Sequence, residues 1–507
     1  MLWGTPLMGR GFGGCAVSEF ISCPGPPMTV PTSHAHSTSP PRPDLEEVED
    51  LIIGTGQAGK PLAGALAEAG RSVTIVERDR VGGTCVVRGC TPTKTMVASA
   101  RVAHLARRAH EYGVQLGPVT VDLKRVRERK RGIVDSWSRG SRNGLERHDS
   151  VELVEGEARF VGPRTLQVES EGSGGSRQFR AERVFINTGA RPRHPDLPGL
   201  DSVPYLDSTT IMELAVVPNH LIVLGGGFIG LEFGQMFRRF GSQVTILEQG
   251  ARLAPREDQD VATALAEILE DDGIHLLTDA RAVAVTAVAG GDGGVRIQLQ
   301  DGTLLEGSHL LVAAGRVPNT RALDPEAGGV ELEADGTIRV NERLETTAEG
   351  VWALGDVAGS PPFTHMAYDD YRIVRANLLE EGDRTTLGRI PTWTVFTDPQ
   401  LGRVGLTEEE ARRAGHDVLV ATLAMSRVAR AIETDETRGL MKAVVDGSSG
   451  EILGAAILGI EGGEIAAALQ FAMMGGLTWT EIRDAPISHP TLMESLNNLF
   501  SALDRPS

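Results

Sequence analysis

Hydrophobic and polar positions fall into blocks that predict two copies of one supersecondary unit. Leu51-Ile52-Ile53 reads as a buried strand, Gly54-Thr55-Gly56-Gln57-Ala58-Gly59 as a glycine turn, and Pro61 to Ala69 as a helix that Gly70 ends. Ser72 to Val76 predicts a second strand, closed by Glu77. The same order returns with a strand at Leu221 to Leu224, the turn Gly225-Gly226-Gly227-Phe228-Ile229-Gly230, a helix at Leu231 to Phe240 and a strand at Val244 to Leu247, ending at Glu248. Polar turns at Glu171 to Ser176 and Gly290 to Gly294, flanked by alternating segments, predict β-hairpin meanders inserted into α/β domains. From Pro391 onward, β-rich stretches give way to small-residue helices such as Glu464 to Gly475, which predicts a separate α+β domain.

Composition narrows the function classes. The chain of 507 residues has a formal charge of −18, which repels phosphate backbones and argues against a nucleic-acid partner. Lys124, Arg125, Arg127, Arg129, Lys130 and Arg131 form a basic stretch, but Asp122 and Glu128 accompany it and it reads as a solvated helix face. The longest apolar runs fall far short of the roughly 20 residues that span a bilayer, so no membrane segment is predicted. Residues 1–45 are rich in Pro, Ser and Gly and lack a basic stretch followed by an apolar run; they read as a disordered extension, with Met28 as an alternative start. His34 and His36 within it read as solvated, and no metal site is expected.

Each part of the repeated unit has a physical task. Gly54 allows a tight turn, Gly56 lets backbone approach a pyrophosphate, and Gly59 permits close helix–strand packing. The helix N-terminus offers free N–H groups and a positive dipole end. Glu77 can accept hydrogen bonds from ribose hydroxyls. Gly225, Gly227, Gly230 and Glu248 repeat the arrangement, so two dinucleotides are implied. Glu248 would repel a 2′-phosphate, which favours NAD(H), with NADP(H) the alternative because Arg252 and Arg256 follow closely.

Four cysteines are too few for a disulfide framework and point to a reducing, cytoplasmic setting. Cys15 and Cys23 lie in the extension. Cys85 and Cys90 stand in Gly82-Gly83-Thr84-Cys85-Val86-Val87-Arg88-Gly89-Cys90-Thr91-Pro92-Thr93-Lys94, ahead of a helix expected over Thr95 to Ala109, where the helix dipole lowers a thiol pKa. A zinc half-site would need a second cysteine pair, and the folded part has none.

This cysteine motif resembles the redox-active disulfide of the class I pyridine nucleotide-disulfide oxidoreductases, which include dihydrolipoamide dehydrogenase, glutathione reductase and mercuric reductase. The resemblance covers about residues 48–502. Thr188-Gly189-Ala190 and Ala314-Gly315-Arg316-Val317-Pro318-Asn319 resemble two family turns, and Thr346 to Asp356, with the run Val351 to Asp356, resembles the second FAD motif, with Gly355 and Asp356 at its end. His489-Pro490-Thr491 with Glu494 resembles the family's acid–base dyad. The resemblance implies an α/β fold with two Rossmann-like domains, for FAD and NAD(P), and a C-terminal α+β dimerisation domain. The expected boundaries are 46–205 and 331–388 for the FAD domain, 206–330 for the NAD(P) domain and 389–507 for dimerisation.

The resemblance also implies roles. Cys90 would lie under the flavin and Cys85 would be the exposed thiol that meets a small-molecule or protein-bound disulfide. Gly83 and Thr84 would adjoin the flavin cofactor, and Lys94, paired with Glu232, would stand beside the flavin N5. His489 would move the thiol proton and Glu494 would orient it, both from the other subunit of a homodimer. Thr188, Gly189, Gly315 and Arg316 belong to the cofactor-binding turns. Among family members, the histidine of the dyad and the lack of a cysteine pair in Asn497 to Ala502 argue against Hg(II). Thr91-Pro92-Thr93-Lys94 sits nearest the dihydrolipoamide and mercuric branch, while Arg88-Gly89 resembles glutathione reductases. A reductase of reactive oxidants such as hypothiocyanite, and a nucleotide-binding redox sensor, complete the alternatives.

Overall fold

The computed structural model describes residues 45–170, 175–288 and 294–504; the extension with Cys15, Cys23, His34 and His36 lies outside them. The first unit forms as β1 (Leu45–Ile53), α1 (Gly59–Glu68) and β2 (Val73–Glu77). The helix begins two residues before its expected start, so Gly59 is itself helical and Pro61 occupies the first turn, where a missing N–H breaks no bond. After it come α2 (Gly83–Val87), α3 (Cys90–Arg108), α4 (Leu123–Glu146) and β3 (Val151–Glu155). A meander of β4 (Glu157–Gly162), β5 (Thr165–Glu169) and β6 (Ser176–Ile186) follows, and β6 runs parallel to β1. The sheet order is β3-β2-β1-β6-β5-β4. Leu51, Ile52 and Ile75 are fully buried, as strands covered on both faces require.

The link strand β7 (Ala190–Pro192) leads to the second unit, β8 (His220–Leu224), α5 (Phe228–Phe240), β9 (Gln243–Leu247), α6 (Gln259–Asp271) and β10 (His275–Leu277). A second antiparallel meander, β11 (Ala282–Ala287), β12 (Val295–Leu299) and β13 (Leu304–Gly307), precedes β14 (His309–Val312). The parallel order β10-β9-β8-β14 repeats the 3-2-1-4 order of the first sheet. β15 (Arg316–Pro318) pairs with β7, and β16 (Val351–Ala353) returns to the first sheet beside β6. α7 (Thr364–Leu379) then lies against α1.

The final part carries β17 (Thr392–Val395), β18 (Gln400–Gly405), α8 (Glu408–Arg413), β19 (Val418–Ala424), α9 (Ala429–Glu433), β20 (Leu440–Asp446) and β21 (Ile452–Gly459). Its antiparallel order is β17-β18-β21-β20-β19, covered by α10 (Gly462–Met474) and followed by α11 (Trp479–Arg483) and α12 (Ser495–Ser501). This is the α/β plus α+β architecture expected. One apolar cluster joins Met96 and Ala100 of α3, Phe233, Met236 and Phe237 of α5, and Leu401 and Leu458 of the last sheet. It locks α3 against α5, which fixes the reactive centre described below.

The basic stretch corrects its expectation in part. It is helical, and Arg125 is 78% exposed. Lys130, however, is buried and paired with Glu213, Arg127 donates to the Glu213 carbonyl at 2.7 Å, and Arg129 donates to the Thr95 carbonyl at 2.9 Å. These cations clamp α4 to its neighbours, because Glu213 neutralises the charge that burial would otherwise penalise. No helix among the described residues is long and apolar enough to cross a membrane.

Candidate active site

The two glycine turns have one geometry. Gly54 (φ +101°) and Gly225 (φ +114°) adopt a backbone that side chains resist. A Cβ on Gly54 would strike the Asn187 carbonyl beyond β6, and one on Gly225 would strike the Ala313 carbonyl beyond β14 at 2.5 Å. Gly59 and Gly230 press on the carbonyls of Gly54 and Gly225 in the same way. Glu77 accepts from Thr55 N (3.0 Å), and Glu248 accepts from Gly226 N (2.8 Å) and Gly250 N (2.8 Å). Both acids thus reach their own turns, at the C-terminal ends of the strands, where open parallel sheets bind ligands.

The residues around each turn fit a dinucleotide. α5 begins without a side-chain cap, and a Cβ on Gly227 would meet nothing within 4 Å, leaving uncapped N–H groups facing open space. In the first unit, the half-buried carboxyl of Asp356 is raised by burial, and Arg316 Nε, 3.9 Å away, opposes that rise. Such an acid suits a hydroxyl donor. Asn187, which the sequence did not single out, holds this end together: its Oδ1 accepts from Gly59 N (3.0 Å) and its Nδ2 donates to the Leu354 carbonyl (2.8 Å). Gly355 N donates to buried Asp370 at 2.7 Å. The two family turns meet as one ribbon, with Thr188 Oγ1 donating to the Asn319 carbonyl (3.0 Å), Asn319 N to Gly189 O (2.9 Å) and Arg193 N to Gly315 O (2.9 Å).

The cysteine loop rests on the first turn, since a Cβ on Gly83 would stand 2.6 Å from the Gly56 Cα. Thr84, exposed, and Cys85, half-buried, occupy the short helix α2. The helix expected from Thr95 begins instead at Cys90, because Pro92 and the polar Thr91 and Thr93 are all compatible with a first turn. Cys90 is therefore the first helical residue, and the preceding Gly89 provides no side-chain cap. Both cysteines are free thiols in this structure, and the exposure expected of Cys85 is reversed: Cys90, at the open start of α3, is exposed, whereas Cys85, inside α2, is half-buried.

Cys90 is the thiolate of the pair, drawn down to about 6 from 9.0 first by the hydrogen bond it accepts from Cys85, then by Thr364 and the charge of Lys94, against burial and Glu232. Cys85, the donor, moves upward through that bond and burial. Thr364 Oγ1 lies 3.3 Å from Cys90 Sγ, a contact that no sequence pattern announced. Lys94 Nζ donates to both Glu232 oxygens (3.0 and 2.7 Å), sits 4.8 Å from the Phe396 ring centroid, and shares Glu232 with Phe396 N (2.8 Å). His489 Nδ1 is 2.8 Å from Glu494, and its side chain is 66% exposed.

A lowered pKa means that Cys90 stays ionised as pH falls from 9.0 to about 6 and is protonated below. Thr364→Val should move that midpoint upward by about one unit, since a hydroxyl bond to a charged acceptor is worth roughly 1.5–3 kcal/mol and one unit is about 1.4 kcal/mol. Titrating the thiolate of the reduced protein checks this; an unmoved midpoint removes Thr364 from the argument.

Comparison with known proteins places this geometry. Residues 49–370 match the family described as pyridine nucleotide-disulphide oxidoreductase, and residues 391–500 match its dimerisation domain. The chain is 38% identical over 462 residues to the probable pyridine nucleotide-disulfide oxidoreductase RclA of Escherichia coli, covering 90% of this chain and 99% of that protein. A solved Cu(II) complex of that HOCl-induced flavoprotein disulfide reductase superposes with a TM-score of 0.83 over the same shares of the two chains. A mercuric reductase of Staphylococcus aureus is 34% identical over 456 residues (90% of this chain, 82% of that one), and a dihydrolipoyl dehydrogenase of Thermus scotoductus is 35% identical over 462 residues (90% and 97%). The chain belongs to the pyridine nucleotide-disulphide oxidoreductases, enzymes dependent on FAD and NAD(P) that act on sulfur groups.

Proposed function

We propose that this enzyme uses Cys85 and Cys90 to reduce a small-molecule or protein-bound disulfide at the expense of NADH. The observation that carries the reading is the position of Cys90 at the start of α3, 3.3 Å from Thr364 Oγ1 and one turn before Lys94, which lowers its pKa. Bound FAD would supply the two-electron relay between reduced nicotinamide and the cysteine pair. Lys94, anchored by Glu232, would supply positive charge to the reduced flavin. The Cys85 thiol gives its proton to the partner subunit's His489 as it attacks one sulfur of the substrate; the substrate S–S bond breaks and one thiolate departs. The partner subunit's His489, oriented by Glu494, gives that thiolate its proton. Cys90 thiolate then attacks the Cys85 sulfur, forming the Cys85–Cys90 disulfide and releasing the second thiolate.

The same reading makes the enzyme a cytoplasmic homodimer, with residues 46–205 and 331–388 holding FAD, 206–330 holding NAD(H) and 389–507 forming the dimer contact. Arg252 supports the NADH preference: its guanidinium reaches Gln259 (3.1 Å) and the Pro255 carbonyl (3.3 Å). Glu248→Arg should move the ratio of kcat/KM for NADPH over NADH upward by roughly 10–100-fold, the scale of 1.4–3 kcal/mol of altered charge contact; an unchanged ratio places recognition of the ribose elsewhere. The reading as a whole is tested by steady-state NADH consumption with lipoamide, glutathione disulfide, Hg(II) and hypothiocyanite. Turnover with an organic disulfide supports it; turnover confined to Hg(II) or hypothiocyanite overturns it.

A further inference from the structure

Thr364 reaches Cys90 from the first residue of α7, yet the start of that helix lacks the usual tie to its own backbone. Its N-cap is Phe363, which makes no side-chain cap, where serine or aspartate would bond a free N–H of the first turn. The two neighbours of Thr364 are held instead by consecutive residues of β17, a strand of the last sheet. The Phe363 ring lies parallel to the Trp393 ring, with centroids 6.0 Å apart and planes 3° apart, and His365 Nε2 donates to the Thr392 carbonyl at 2.8 Å. His365 also stacks on Phe363 at 5.7 Å, which closes the clamp. The clamp is anchored away from α7. Trp393 Nε1 donates to Glu257 Oε1 (3.1 Å), and Nε of Arg403, which lies opposite Trp393 in the register of β17 and β18, donates to Glu257 Oε2 (3.0 Å). Glu257 is 1% exposed and Arg403 fully buried, so water cannot replace these bonds and the indole is held firmly. On its other side Trp393 meets Phe228, the first residue of α5, at 6.4 Å.

We propose that Trp393 is a positioning residue for the reactive pair: by holding Phe363 it sets the place of the Thr364 hydroxyl, 3.3 Å from Cys90 Sγ. The inference rests on the reading of Cys90 as the ionised sulfur. Threonine is branched at Cβ, so its hydroxyl follows the backbone that carries it, and a hydrogen bond weakens steeply once donor and acceptor are misaligned. A small rotation of the first turn of α7 therefore costs Cys90 this donor. The groups that face Cys90 are Cys85 of α2, Lys94 of its own helix, Glu232 of α5 and Thr364 of α7. Phe396, just beyond β17, touches both Lys94 and Glu232, which gives a loosened strand a second route to the sulfur. Removing the Thr364 hydroxyl separates the two routes.

The midpoint of Cys90 ionisation is read by thiolate titration of the reduced, flavin-loaded enzyme, with the Cys90→Ser form of each variant as the blank. Trp393→Leu should raise the midpoint by roughly half to one unit, a three- to tenfold change in acid constant. Added to Thr364→Val it should have no further effect, because no hydroxyl is left to misplace; two changes that act through one contact are not additive. His365→Ala, at an exposed position, releases the other neighbour of Thr364 and should move the midpoint in the same direction, again only while the hydroxyl is present. It carries the same test if Trp393→Leu does not fold, as judged by melting temperature and flavin content. A midpoint equal to wild type in the folded variants overturns the proposal. Equal shifts with and without Thr364→Val also overturn it and assign the effect to Lys94 and Glu232 through Phe396. If Thr364→Val alone leaves the midpoint unmoved, the hydroxyl does not serve the thiolate, and the reading of Cys90 on which this inference rests fails first.

Discussion

Cys90→Ser should reduce NADH-driven disulfide turnover by at least about 10³-fold while leaving reduction of the bound flavin by NADH intact. The two halves separate because the role proposed for Cys90 begins only after the flavin has been reduced. Without its thiolate, Cys85 can still attack a substrate, but the resulting mixed disulfide has no internal thiolate to resolve it. Intact-mass analysis after exposure to substrate should therefore find a Cys85 adduct that persists until an external thiol is added. On the proposed placement of Cys90 beside the flavin, two-electron reduction should give the wild type a long-wavelength charge-transfer absorbance that the variant lacks. Structure supplies the reason for choosing Cys90: it occupies the first residue of α3, accepts from Cys85 and Thr364, and feels Lys94. Persistence of the absorbance, or turnover within tenfold of wild type, would remove Cys90 from this role.

His489→Ala should slow disulfide turnover by about 10²–10⁴-fold, the usual contribution of a positioned acid–base group, with little change in flavin reduction. The ring is held by Glu494 at 2.8 Å yet remains 66% exposed, an arrangement suited to a base presented to another surface. Hybrid dimers test which surface. A dimer of one His489→Ala chain and one Cys90→Ser chain contains a site with an intact cysteine pair and the partner subunit's His489, if the base crosses between subunits. Co-expression with two affinity tags should then recover a substantial fraction of the wild-type rate. Hybrids as inactive as the parents would place the base within its own chain and sink the inter-subunit reading.

The parts of the site that were legible in the sequence share a property: each is carried by neighbours along the chain. Gly54, Gly56 and Gly59 are read from one turn, and Glu77 from the strand that must follow it. Cys85 and Cys90 stand within one loop, and His489 and Glu494 within one segment. Such spacings constrain chemistry directly, because a turn or a helix start has the same geometry wherever it occurs. Boundaries were less legible. The expected start of α3 was Thr95, whereas Pro92 and the threonines beside it are at home in a first turn, and this places the helix end at Cys90 itself. The cations of α4 looked like a solvated face because Glu213, their main partner, is distant in sequence.

By itself, the sequence determined that there are two dinucleotide units, a cysteine pair poised before a helix and a final domain of different texture, since glycine turns, hydrophobic periodicity and short-range spacing depend on local sterics alone. Only the tertiary structure decided which cysteine is ionised and what steadies it. That assignment needs Thr364 from α7 and Lys94 tied to Glu232 of α5, residues brought together because a shared apolar core holds α3 against α5. It also decided that Asn187 joins the first glycine turn to the Leu354 strand end. Electrostatic energies fall with distance in space, and packing, not the order of residues, sets that distance.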